Sequence, residues 1–280
     1  MIHRVERVMS SKDADAYVND TAKPLAPTPL DAGDSIVDAD TGRTLLAVDA
    51  LSADLLPSYR RAVLDIPQTT TLYRTSGQRN SARTIGFLPR AAFMQARGSC
   101  RICATSYQAP EAHRFLCDSA STLWEMLEHH APDGASATLT AAEKILPDWR
   151  LGSTGWTSGI VNQTSALLYH RDKNNGVGAW SSMVVIRRNT RGGHLHLPEY
   201  DLVVPCRDGA VIMFPGPELV HGVTPIEIRP GGYRYSVVYY NIAKMAHCLA
   251  PDEELESARQ SRTNAAVTMI DRQRETGFLS

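Results

Sequence analysis

The feature that most constrains the fold of this chain is a series of short β-type runs between residues 154 and 242. GWTSGIVN, ALLYH, WSSMVVIR, HLHL, DLVV, AVIMF, LVHGV and YRYSVVYYN are rich in Val, Ile, Leu and Tyr, and Gly, Pro and Asn break them up. Branched and aromatic side chains suit a pleated surface, and Gly and Pro end it. Eight short strands with irregular turns fit a double-sheet jelly roll. At 280 residues the chain fits one large domain, or one domain with an extension, and can bury a sizeable core. Its 43% hydrophobic and 21% charged content is ordinary for a globular protein.

The stretch before these runs is mixed. Residues 1–30 end in the Pro-punctuated KPLAPTPL and read as poorly ordered. DSIVDADTGRTLLAVDAL predicts two short strands joined at Asp40-Thr41-Gly42. SADLLPSYRRAVLDI predicts a helix capped by Ser52, with Leu55, Leu56, Tyr59, Val63 and Ile66 at helical spacing. Residues 70–108 are polar with little periodicity, as in a long functional loop with short strands. EAHRFLCDSASTLWEMLEHH (111–130) is the clearest helix, closed by Pro132 and Gly134. The resulting division is a loose segment 1–30, an α/β extension 31–150, a jelly-roll core 151–245 and a charged segment 246–280, with 31–280 as one unit. The class is α+β with a mainly β core: a double-stranded β-helix (jelly roll, cupin-like) with an N-terminal α/β extension and flanking helices.

The chemistry starts at LLYHRDKNN. His170 and Asp172, two residues apart at the end of an apolar run, share one face of a strand. One imidazole, one carboxylate and a second, distant imidazole form the facial triad of non-haem iron(II) oxygenases, which leaves other coordination positions open. His221, in FPGPELVHGV, supplies the distant imidazole. Thirteen residues further on is Arg234, in GGYRYSVVYYN. Alternation puts Arg234, Ser236, Val238 and Tyr240 on one face, and Tyr235, Val237 and Tyr239 on the other. A buried arginine there needs an anionic partner. A dicarboxylic co-substrate supplies one, since a guanidinium fork matches a carboxylate, and Ser236 can donate to the same group. A surface His and Asp, or a solvent-facing arginine, is the ordinary reading of each piece alone; the order HxD, His, RxS favours the site. That order resembles the 2-oxoglutarate/iron(II) dioxygenase superfamily.

The resemblance narrows. TSGIVNQTSALLYHRDKNN, GGHLHLPEYDL, HGVTPI and YRYSVVYYN are similar to the TET/JBP family, particularly its phage-encoded branch, over about residues 80–245. The similarity includes SARTIGFLPR and Cys100-Arg101, which makes Arg83 and Arg101 candidates for substrate contact. That family oxidises the 5-methyl group of pyrimidines in nucleic acid. It implies Fe(II), 2-oxoglutarate and O2, with iron on His170, Asp172 and His221 and co-substrate on Arg234 and Ser236. Asn175 holds the place of the base-contacting asparagine in HxDxxN, and Tyr240 that of the tyrosine that stacks on the flipped-out base. Members that prefer methylcytosine often carry a histidine where this chain has Ile242. The expected reaction is conversion of 5-methylcytosine to 5-hydroxymethylcytosine in DNA. The alternatives are a thymine hydroxylase, a small-molecule or peptide hydroxylase on the same fold, and a cupin-like binding module. A halogenase is disfavoured because Asp172 is present.

Other constellations compete. His194, His196 and Glu199 form HxHxxE, close to a cupin metal motif but one or two residues short. Taking it as the site would leave the HRD, Arg234 and Ser236 without a role; one solvated strand face is the plainer reading. Cys100, Cys103, His113 and Cys117 have ligand types suited to tetrahedral zinc, though buried thiols are the commoner fate of such residues. Five cysteines, an odd number, suit a reducing interior. There is no apolar run of ~18 residues and no apolar signal core near Met1, so a cytoplasmic protein with no membrane span is expected.

The net charge of −1 carries no argument for nucleic acid, but its distribution does. Residues 66–110 hold six arginines (Arg74, Arg79, Arg83, Arg90, Arg97, Arg101) with no lysine or acid, whereas residues 10–65 hold ten aspartates. The arginines can track phosphates or pair with those aspartates.

Overall fold

The chain forms, in order, β1 (Ile2–Val5), α1 (Ser11–Ala14), β2 (Ser35–Asp38), β3 (Thr44–Ala50), α2 (Leu55–Asp65), β4 (Thr70–Leu72), β5 (Arg79–Pro89), β6 (Cys100–Ile102), α3 (Thr105–Gln108), α4 (Pro110–Asp118), α5 (Ala120–His130), α6 (Pro132–Ala142), β7 (Ser158–Gln163), β8 (Ser181–Gly192), β9 (Leu195–Leu197), β10 (Leu202–Val204), β11 (Ala210–Phe214), β12 (Gly222–Val223) and β13 (Ile226–Tyr240). The structure, a computed structural model, describes residues 1–68, 70–72, 79–89 and 100–261.

Among the described residues the strands make one large sheet, in the order β1-β2-β3-β11-β8-β13-β7-β5-β4 with β6 added to β5, and a small sheet, β10-β9-β12. The long pair β8 and β13 lies at the centre of the large sheet. Its two faces are buried against different partners. Val184, Ile186, Val211, Met213, Val237 and Tyr239 pack with the helices, including Leu116, Leu123, Trp124 and Leu127. Met183, Val185, Ile212 and Phe214 face Leu195, Leu197, Leu202 and Val204 of the small sheet. Period-2 alternation on near-continuous apolar strands therefore feeds two cores. The result is a double-stranded β-helix with helices on one side, as the sequence predicts.

Three local expectations change. Pro132 does not close the helical region: α4 and α5 divide at Ser119, and Pro132 begins α6. Proline suits a first helical turn, where its missing N–H would be unsatisfied anyway. The opening 30 residues, expected to be loose, are tied to the body. β1 pairs in parallel with β2, and backbone bonds join Val8 to Glu199 and Asn19 to Tyr169. Cys100 forms a disulfide with Cys248, leaving Cys103, Cys117 and Cys206 as free thiols. No described helix is long and apolar enough to cross a membrane. Beyond η-type turns at 243–247, residues 251–261 are helical, and 262–280 lie outside the described residues.

Candidate metal centre

His170 and His221 sit opposite one another in an antiparallel bridge outside the named strands. Each backbone N–H donates to the other's carbonyl, at 2.9 and 3.0 Å. HRD is thus not part of a regular strand, whereas its spacing predicts one. The bridge fixes His170, and a turn fixes Asp172, whose N–H donates to Gly216 O at 3.1 Å while its own carbonyl accepts from Asn175 N at 3.0 Å. The imidazole centroids are 4.3 Å apart. In both rings Nδ1 faces a carbonyl two residues back, Leu168 O at 2.8 Å and Leu219 O at 2.9 Å. An acceptor there holds the proton on Nδ1 and leaves the Nε2 lone pair for a cation.

Both Nε2 atoms turn to Asp172, whose Oδ1 is 3.6 Å from His170 and 3.9 Å from His221. The three ligand atoms lie within 4.8 Å of one another, and among the described residues this is the one such cluster of three. Burial, with His170 close by, lowers the pKa of His221 to about 4, so its ring is neutral and able to ligate at neutral pH. Gly216 leaves room for the carboxylate, because a Cβ there would overlap Asp172 Oδ2. Two imidazoles and one carboxylate fit a mononuclear iron(II) ion with open positions.

Arg234 is fully buried (0% exposed) and yet has no carboxylate partner among the described residues. Its Nη2 donates to Gly193 O at 2.9 Å, whereas Nε and Nη1 have no partner among the described residues. Gly193 is cut to fit, since a Cβ would come 2.7 Å from Nε. Burial pulls this guanidinium's pKa down, and the nearest compensation is the Cys206 thiol. Two unused donors on a buried cation have the chemistry of a carboxylate receptor. His194 lies in the same region: burial, then the charges of Arg187 and Arg234, lower its pKa to about 4. Its Nδ1 accepts from Cys206 N at 3.2 Å.

Ser236, two positions along, faces the same interior and is buried (5% exposed). Directly across from it are Val185 on β8 and Asn162 on β7. Opposed residues share a sheet face, so Asn162, a buried amide that the sequence reading passed over, joins this wall. The only hint of it was a polar residue inside the apolar run GIVN.

At the other end of the wall, Asn175 Nδ2 lies 3.3 Å from Ser181 Oγ and 3.5 Å from Asp172 Oδ2. β13 pairs with β8 as far as Tyr239 opposite Ser182, so the register carries Tyr240 to the level of Ser181. Tyr240 is half-buried and packs against the cluster of Trp149, Ile242, Met245 and the Cys100–Cys248 pair. Tyr239 faces the helices instead, fully buried, with its hydroxyl 3.1 Å from that of Tyr59 and 2.8 Å from Leu116 O.

The arginine-rich stretch is only partly placed: Arg74, Arg90 and Arg97 lie outside the described residues. Arg83 is opposite Val161 and so on the helix side of the sheet, with Nε donating to Pro67 O at 2.6 Å. The fold thus does not bring Arg83 to the wall that carries Arg234, Ser236 and Tyr240. Arg101 is exposed on β6. Neither forms an ion pair with the preceding aspartates among the described residues.

The competing constellations come apart. His196 takes the hydroxyl of Tyr169, His194 takes Cys206 N, and Glu199 is bonded to Arg171, so HxHxxE does not converge. The zinc set is broken because Cys100 is in the disulfide. Among the described residues Cys103, His113 and Cys117 do not gather as a ligand cluster either, and burial raises the two thiols to about 11 and 12.

With this geometry in hand, the chain can be set beside known proteins. No family model matches it, and no curated protein does. Among solved structures, NgTET1 in complex with 5mC DNA superimposes with a TM-score of 0.57 at 14% identity, covering 86% of this chain and 94% of that one. That similarity fixes the fold. A 2OG-Fe(II) oxygenase family oxidoreductase from Burkholderia pseudomallei matches at a TM-score of 0.43 and 15% identity, covering 71% of this chain and 85% of that one.

Proposed function

We propose that this chain is a 2-oxoglutarate- and iron(II)-dependent dioxygenase that hydroxylates the 5-methyl group of a pyrimidine in DNA, with 5-methylcytosine as first choice and thymine as second. The observation that carries the reading is the pairing of two features: two Nε2 atoms and one carboxylate converging on a point, and a buried Arg234 whose Nε and Nη1 are unpartnered. His170, Asp172 and His221 would hold the iron, and Arg234 with Ser236 would hold the far carboxylate of 2-oxoglutarate. When bound, iron and 2-oxoglutarate would supply oxidation by O2: 2-oxoglutarate would go to succinate and carbon dioxide, with one atom of O2 entering succinate and the other becoming the hydroxyl of the hydroxymethyl group. The chain's own residues bind, orient and exclude water.

The DNA reading draws on the TET/JBP resemblance, the fold shared with NgTET1 and the placing of Asn175 and Tyr240 toward one end of the same wall. A methyl group can reach a metal inside a barrel only if its base leaves the stack, at a few kcal/mol. Tyr240 would recover part of this by stacking, worth about 1–3 kcal/mol per base, and Asn175 would hydrogen-bond the base edge. Tyr240→Ala should therefore lower catalytic efficiency on methylated DNA by about ten- to a hundredfold, with substrate-independent decarboxylation of 2-oxoglutarate largely retained. Tyr239→Ala should mainly lower the melting temperature. Loss of both reactions together with thermal stability in Tyr240→Ala would make it a packing residue and sink the stacking role.

A second test asks whether Arg101 contacts DNA. Arg101→Ala should flatten the slope of log affinity for duplex DNA against log salt by about 0.9, the value for one lost phosphate contact. Arg83→Ala should leave the slope alone, because Arg83 faces the helix side. Equal slopes in all three proteins would remove Arg101 from the DNA contact.

A further inference from the structure

We infer that Glu199 and the N-terminal strap are part of the metal centre: Glu199 is a positioning residue that locks both ligand-bearing segments together from behind. The inference rests on the assignment of His170, Asp172 and His221 as metal ligands. Whereas His170 and Asp172 turn their ligand atoms to one point, Arg171 between them turns to Asp15 and Glu199. Its side chain is 13% exposed and is met there by Glu199, 1% exposed, at 2.8 Å. The same carboxylate oxygen of Glu199 accepts the backbone N–H of Val220 at 3.4 Å, one residue before His221. Arg171 in turn donates to Glu218 O, in the segment that leads to His221. One buried ion pair thus touches both the segment carrying two ligands and the segment carrying the third.

The strap closes the arrangement. Asp15 accepts from Arg171 Nε at 2.7 Å, Ser11 O accepts from Nη2 at 3.2 Å, and Ser11 Oγ donates to Glu199 Oε2 at 3.1 Å. Asn19 N donates to Tyr169 O and Tyr169 N to Asp20 O, one residue before His170. Residues 8–20 therefore run across the back of the ligand loop. A buried ion pair contributes little net stability against an apolar replacement, but breaking it leaves a costly unpaired charge. Its use here is geometric, because it holds an irregular loop and an irregular strand end in one register. Outer partners of metal ligands typically govern affinity by about 10–100-fold.

The test is anaerobic titration of the full chain with Co(II), following the visible d–d bands, beside thermal melting without metal. Glu199→Gln should weaken Co(II) binding by about 10–100-fold and shift the band pattern of whatever complex forms. Asp38→Asn is the control. Asp38 is equally buried in the same network, bonded to Tyr200 and Thr41, and touches neither ligand segment; it should lower the melting temperature while leaving Co(II) affinity within about threefold. If Glu199→Gln does not fold, Ser11→Ala with Asp15→Asn, at a partly buried and an exposed position, should still weaken Co(II) binding severalfold. Normal affinity and bands in Glu199→Gln, or in the double variant, overturn the inference. His221→Ala separates the two layers. If it binds Co(II) as the unaltered chain does, the ligand assignment fails and this inference with it; if it loses Co(II) while Glu199→Gln keeps it, only this inference fails.

Discussion

Asp172→Ala is expected to abolish hydroxylation and to weaken metal binding by more than about 100-fold, since even outer partners of metal ligands cost 10–100-fold. Asp172 supplies the anionic member of the triad, 3.6 Å and 3.9 Å from the two imidazoles. Without it, two imidazoles and no anionic ligand remain to hold a dication. Melting of the metal-free protein should change little, because the carboxylate is only half-buried and the turn around it is held by backbone bonds. Gly216→Ala should act in the same direction by displacing the carboxylate instead of deleting it. Near-normal turnover in Asp172→Ala, measured as nucleoside product per enzyme, would mean that the metal lies elsewhere.

Arg234→Met is expected to raise the constant for 2-oxoglutarate by about thirtyfold to several thousandfold. The range comes from a cost of about 2–5 kcal/mol for leaving a buried carboxylate without its partner, at about 1.4 kcal/mol per factor of ten. The same change should leave the metal-free protein as stable as before, or more so. Arg234 carries two unpartnered donors at full burial, and replacing a buried unpaired charge with an apolar side chain of similar volume is often neutral or stabilising. Saturating 2-oxoglutarate should raise the melting temperature of the unaltered chain and not that of the variant, because only a ligand of the folded state stabilises it. A constant changed by less than threefold would contradict the role of Arg234.

Much of this was legible in the sequence where side-chain period and burial go together. Alternation on β13 correctly sent Arg234, Ser236 and Val238 to one core and Tyr235, Val237 and Tyr239 to the other, because a period of two has one solution once both faces are covered. The convergence of His170, Asp172 and His221 was readable from residue types and order. The means of convergence was not: ALLYH looks like a strand, yet the chain makes a single bridge at His170 and turns, held by partners such as Gly216 and His221 that are distant in sequence. The HxHxxE stretch was misjudged for the same reason. It reads as one solvated strand face, but His196 and Glu199 are buried, and Glu199 is claimed by Arg171, 28 residues earlier. The opening segment has the composition of a loose tail, and only its tertiary partners order it. The Cys100–Cys248 pair, 148 residues apart, leaves no local trace, and Pro132 could equally end one helix or begin the next.

The central claim is tested most directly by incubating the iron-loaded chain with 2-oxoglutarate and matched DNA, either carrying 5-methylcytosine or lacking it, and then measuring nucleosides by mass spectrometry and succinate in parallel. The account predicts 5-hydroxymethylcytosine from the methylated DNA, with succinate formed in proportion and both lost in His221→Ala. 5-Hydroxymethyluracil instead, formed from thymine, would move the reaction to the second pyrimidine on the same site. Succinate that forms without any oxidised pyrimidine, at a rate that DNA does not change, would contradict the account.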